Sequence, residues 1–150
     1  MEEFNKMSGD LIEVTLRSVV PTGNGFAVFL HGGGKTFVIY VDQEVGAAIA
    51  RYREGTPRTR PLTHDLLISI LKGLEIDVEK VVINDLRDNT FFARLFLRDD
   101  GPEGKRIFEI DARPSDCLAV ALLGGAKIYA APHVLESVSD VGEVSEDREK

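Results

Sequence analysis

The stretch Pro114–Leu123, Pro-Ser-Asp-Cys-Leu-Ala-Val-Ala-Leu-Leu, restricts this chain more than any other. From Cys117 onward it is apolar on every side, so a helix formed here has no face to offer water and must be enclosed. Gly124-Gly125 closes it. Upstream, a strand over Arg106–Asp111 runs straight into Arg113-Pro114-Ser115-Asp116. A buried helix entered through charged residues carries either an elaborate cap or a site. Proline fits the first helical position, where its missing N–H costs nothing, which makes Arg113 the N-cap and lets Asp116 bond back to it. That structural reading leaves Asp111 and Arg113 unexplained. The functional reading seats a phosphate on the free N–H groups, Ser115 and the Arg113 guanidinium. Asp111 and Asp116 are then the carboxylates that would hold Mg²⁺, which takes oxygen ligands and keeps several waters.

A second polar group lies far away in sequence. Arg51, Arg53, Arg58 and Arg60 fall within ten residues of one another on a chain of net charge -7. Arg51 and Arg53 complement a helix C-terminus; Arg58 and Arg60 lie in a loop that a phosphate backbone can reach. His64 and Asp65 follow. His64 has the right ordinary pKa to move a proton near neutrality. The bland alternative is that Thr63 caps the next helix and Asp65 supports its dipole. His31 and His133 show no metal-ligand spacing with His64. Asp85 and Asp88 flank a hairpin turn and join a metal site with Asp111 only if the fold converges them. Cys117, on the apolar helix, reads as a small buried residue rather than a nucleophile, and Phe91, Phe92 and Phe96 read as core.

Around these groups the pattern predicts an α+β domain, a largely antiparallel or mixed sheet with three to four helices packed on it. Strands are expected at Leu11–Val20, Phe26–His31, Thr36–Val41, Val78–Leu86, Thr90–Arg98, Arg106–Asp111 and Lys127–Ala131, with Asp99–Lys105 as a turn. Val45, Ala48, Ile49 and Tyr52 mark one amphipathic helix capped by Asp42; Leu67, Ile70, Leu71 and Leu74 mark a second. Pro132–Val138 is a short third, besides the buried one. Arg60-Pro61 before Asp65 echoes Arg113-Pro114 before Asp116, suggesting an internal duplication whose repeats each end in an Arg-Pro-started helix. Residues 1–138 are expected to form a single domain and residues 139–150 an acidic, frayed tail.

With 150 residues the chain is long enough for a core without staples. It has no run apolar enough to span a bilayer, no secretory n- or h-region, and one cysteine, so a cytoplasmic protein with no membrane role is expected. The acidic balance argues against general coating of nucleic acid; any contact must come from a local basic patch. Pairing of strand edges or faces makes a homodimer the expected assembly.

Three blocks resemble the bifunctional nuclease family. They are Phe37–Arg53, the run Arg60-Pro-Leu-Thr-His-Asp-Leu-Leu67, and Phe92–Leu123 ending in Asp-Ala-Arg-Pro-Ser-Asp-Cys-Leu-Ala-Val-Ala-Leu. With Val81-Val-Ile-Asn-Asp85 they span roughly residues 36–136, most of a domain this size. Tyr40-Val41 and Cys117 depart from the family's usual Ile-Gly and Ala, away from the charged groups. The resemblance implies a nuclease that hydrolyses phosphodiesters of RNA and DNA. On that reading Arg58, Arg60, Arg113 and Ser115 hold the substrate, while His64, Asp65, Asp111 and Asp116 do the chemistry, with a divalent cation such as Mg²⁺ on Asp111 and Asp116. The alternative is a non-catalytic module that binds an anion or a partner at the two helix starts. Either way, residues 60–65 and 111–116 must meet.

Overall fold

The computed structural model describes residues 10–142. Strands β1 (Ile12–Pro21), β2 (Gly25–Gly32) and β3 (Lys35–Asp42) form a meander followed by helix α1 (Gln43–Glu54) and helix α2 (Thr63–Gly73). A second meander, β4 (Ile76–Arg87), β5 (Thr90–Gly101) and β6 (Gly104–Ala112), leads into α3 (Pro114–Gly124), β7 (Lys127–Ala130) and α4 (Pro132–Ser137). All seven strands form one mixed sheet in the order β3-β2-β1-β7-β4-β5-β6. Only β4 and β7 pair in parallel; every other neighbour is antiparallel.

Two hairpins turn through left-handed residues. Gly33 and Gly34 adopt φ of 59° and 78°, which glycine takes without a Cβ penalty. Asp88 and Asn89, at 51° and 64°, are among the side chains that tolerate this conformation. The third hairpin is tighter than its sequence suggests. In place of a turn over Asp99–Lys105, Asp99 pairs with Arg106 and Asp100 with Lys105, leaving Pro102 and Glu103 at the tip. Opposite charges facing each other across the ladder extend the strands, and Arg106 Nη2 lies 2.7 Å from Asp99 Oδ2.

The apolar stretch is a buried helix, as its composition requires. Leu118 and Ala119 are fully inaccessible, and α3 packs between α1, α2 and the face of β4 and β5. Alanines 119 and 121 permit the close approach. At one end Phe37 of the edge strand β3 comes close to Phe91 of β5, with ring centroids 6.0 Å apart. On α1, Gly46 admits Phe26; a Cβ there would sit 2.3 Å from the ring.

A repeat exists in the topology, but not the one suggested by the Arg-Pro echo. The equivalent units are β1-β2-β3-α1 and β4-β5-β6-α3, so α1, not α2, corresponds to α3. Pro114 is the first helical residue of α3, whereas Leu62 separates Pro61 from the start of α2. The beginning of the expected tail is also tied down. Asp140 Oδ1 accepts from Thr36 N (3.1 Å) and Val141 N donates to Thr36 O (2.8 Å), so this segment lies along the outer edge of β3. Residues 143–150 of that tail lie outside the described residues.

Candidate functional site

Three helix starts supply the polar groups that meet. Asp42 caps α1 through Val45 N (2.9 Å) and turns its other oxygen toward Arg113 Nη1, 3.4 Å away. Arg113, the N-cap of α3, also donates from Nε to Asp116 Oδ2 at 2.9 Å. The other oxygen of Asp116 accepts from His64 Nε2, again at 2.9 Å. His64 is 9% exposed and stands in the first turn of α2. Residues 60–65 and 111–116, some fifty positions apart, therefore touch through one carboxylate.

Asp116 does not close a capping box on the Arg113 backbone, contrary to the sequence expectation; its oxygens are engaged by the two cationic side chains instead. Burial pushes its carboxyl up, but the hydrogen bonds from Arg113 and His64 and the charge on Arg113 outweigh that and hold it below the ordinary carboxylate range. Asp116 is thus ionised at neutral pH, suited to fixing an imidazole and stabilising its protonated form rather than to donating a proton.

Beyond His64 the chain of contacts continues through an aromatic ring. Tyr52 meets His64 edge-on, with centroids 6.3 Å apart, and the Arg58 guanidinium lies 4.8 Å above the Tyr52 ring. Arg58 is clamped on Asp65 by two hydrogen bonds, Nε to Oδ2 at 2.7 Å and Nη2 to Oδ1. Asp65 also accepts from Leu62 N at 2.8 Å, so Leu62 rather than Thr63 is the N-cap, and Asp65 supplies the side chain that satisfies it. The Arg58 pair, which outweighs a small burial effect, and the Leu62 N–H together lower the Asp65 pKa. These contacts give Arg58 and Asp65 a brace across the α1–α2 loop.

The ends of this array open on different hollows. A groove of about 620 Å³ is lined by Arg58, Arg60, Asp65, Ser69 and Lys72; no acid pairs with Arg60 among the described residues. A cleft of about 360 Å³ lies by Tyr40, Asp42, Phe91, Arg113 and Ser115. Ser115 is itself buried, in the first turn of α3.

Asp111 stands apart from the cluster. It is exposed on β6, in register with Arg94 of β5. Asp85 pairs with Arg87 (3.0 Å) and His133 (3.4 Å), and Asp88 occupies its turn, so neither converges on Asp111. Among the described residues no group of three or more His, Cys, Asp or Glu could hold a metal ion. Asp111 and Asp116 alone are fewer than such a group, and a Mg²⁺ ion held by either would draw its remaining ligands from water and substrate phosphate. Cys117 is excluded as a nucleophile: burial, aided by the charges on Asp116 and Asp111, pushes its thiol up to about 12. Of the phenylalanines, Phe96 is core, while Phe91 and Phe92 are half-buried, Phe92 beneath the Arg87 guanidinium.

Two members of the array carried no functional signal in the sequence. Asp42 reads only as a cap, and Tyr52 only as the fourth residue of an amphipathic stripe. The Tyr52 hydroxyl is buried without a hydrogen-bond partner. Burial and the Asp65 charge, partly offset by Arg58 and Arg51, raise its pKa and keep it a neutral phenol.

An α+β domain with charged groups gathered at three helix starts is the class of protein this geometry defines. The chain belongs to the bifunctional nuclease domain family, whose model matches residues 28–141. Two relatives are uncharacterised proteins from two strains of Mycobacterium tuberculosis, CDC 1551/Oshkosh and H37Rv. Each is 33% identical over 128 residues, covering 85% of this chain and 74% of the relative.

Proposed function

We propose that the protein hydrolyses phosphodiester bonds of RNA and DNA at the junction of α2 and α3. The observation that carries this reading is the unbroken hydrogen bonding of His64, Asp116 and Arg113 at helix starts, in a chain of this family. With Nε2 given to Asp116, Nδ1 is the ring nitrogen left to take the proton of an attacking water. The developing imidazolium is stabilised by the ionised Asp116, as an orienting carboxylate does in other hydrolases. Arg113, with the N–H groups of the first turn of α3, balances charge on the phosphoryl oxygens as the water oxygen bonds to phosphorus and the ester P–O bond breaks, the departing oxygen taking a proton from solvent. Arg60 and Lys72, lining the groove beside α2, are the cations proposed to track the flanking backbone. The step as proposed uses these side chains and water, and no metal is given a part in it.

Cleavage of end-labelled single-stranded RNA and DNA by purified protein tests this. His64→Gln should lose roughly 10²–10⁴-fold in rate and Arg113→Ala roughly 10²–10³-fold. On this reading EDTA leaves the rate within about two-fold, because His64 and Arg113 carry the step without a metal. Full activity in either variant, or abolition by EDTA, overturns the assignment. The near-complete burial of His64 favours a second reading, a non-catalytic anion-binding module. That reading expects no cleavage and a rise in melting temperature with added pyrophosphate that Arg113→Ala abolishes.

A further inference from the structure

The two margins of the sheet are treated differently. The outer edge of β3 is partly covered by residues 140–141, whereas β6 ends the sheet with nothing paired to its outer side among the described residues. Strand β6 is long and regular: nine residues whose register with β5 has no shift, unlike the β1–β2 and β4–β5 pairs. All of residues 104–111 are exposed on both faces, including Ile107, Phe108 and Ile110. No proline or bulge interrupts the strand, devices that soluble proteins commonly use to stop such an edge from pairing.

We propose that β6 pairs with β6 of a second copy in antiparallel orientation about Phe108, making one sheet continuous across a homodimer. The charge pattern selects both the occupant and the register. The strand is basic at its start (Lys105, Arg106), apolar in the middle and acidic toward its end (Glu109, Asp111). An antiparallel pair centred on Phe108 sets Lys105 of each copy opposite Asp111 of the other, two ion pairs related by the dyad. Neither Lys105 nor Asp111 has an ion-pair partner among the described residues of its own chain, whereas Arg106 is bonded to Asp99 and Glu109 to Arg94. Such a contact is isologous and closes on itself, so it stops at two. It also lays Lys105 of one copy two residues along from Arg113 of the other, bringing a cation toward the start of α3 on an acidic chain. The outward face of α2, with Leu66, Ile70 and Leu74, is the competing apolar surface, but a helix face offers no strand edge for backbone pairing.

Sedimentation velocity on the full chain decides the matter. The wild type should be a dimer at about 10 μM. Lys105→Asp and Asp111→Lys each put like charges opposite twice and should weaken the dimer roughly ten-fold or more. Mixing these two variants restores both opposite-charge pairs and should return a heterodimer of wild-type affinity. Phe108→Lys should also dissociate the pair, with melting curves confirming that each variant is folded. The proposal is overturned by a wild type still monomeric at about 100 μM. It is equally overturned by a mixture no tighter than its components, or by a dimer indifferent to these changes and split by Ile70→Glu.

Discussion

Replacing Asp116 by Asn removes one charge and little volume from the point where α2 meets α3, and its cost can be worked from the contacts. The Arg113 guanidinium is 61% exposed, so that side of the carboxylate contributes only about 0.2–1 kcal/mol. The His64 side is different, because its side chain is 11% exposed. A hydrogen bond to a charged group in such a place contributes about 1.5–3 kcal/mol, of which Asn retains part by accepting from Nε2. A net loss of about 1–2 kcal/mol is expected, which lowers Tm by roughly 3–8 °C for a chain of this size. The carboxyl pKa is lower in the fold than in the unfolded chain, so its stabilisation is complete above about pH 4 and is lost as pH falls through the folded value. Thermal melts of Asp116→Asn and wild type at pH 7 should differ by the full amount. As pH is lowered below about 4 the gap should shrink progressively. A gap that is absent at pH 7, or unchanged in acid, would refute the view that an ionised Asp116 staples the two helices.

Other substitutions separate bracing from chemistry. Arg58→Ala should lower the urea midpoint through the lost Asp65 pair and uncovered Tyr52 ring, with cleavage per folded molecule unchanged in the activity assay run beside it. Gly46→Ala should destabilise by about 1–3 kcal/mol because the new methyl meets the Phe26 ring, and trimming Phe26 to Leu in the same chain should recover part of that loss. Cys117 should resist a thiol reagent at pH 8 in the native protein and react promptly in guanidinium; labelling of the native form would contradict its burial.

The strands, all four helices and the enclosure of α3 were legible because each rests on local periodicity and on apolar content that has one outlet. The meeting of His64 with Asp116 was anticipated only as a requirement, since no local signal links positions fifty residues apart. Tyr52 was invisible as a site residue because its helical spacing explains it fully as core. Asp116 was misread as half of a capping box because the cap rule counts residues along one helix. It cannot see that Arg113 and His64 compete for the same oxygens. The duplication was placed on the wrong helix for a similar reason: the Arg-Pro dipeptides look alike, but only the sheet order reveals which helices follow equivalent meanders.

The short segment lying along β3 carries a consequence for anyone shortening this chain. If β6 pairs as proposed, joining two molecules uses up that border, while residues 140–141 hold part of the opposite one. Ending the chain at Val138 removes Asp140 and Val141 from Thr36 and leaves the molecule with open borders on both flanks. On the proposed pairing, such a shortened chain should add copies at β3 as well as at β6, read as species larger than the dimer in sedimentation velocity.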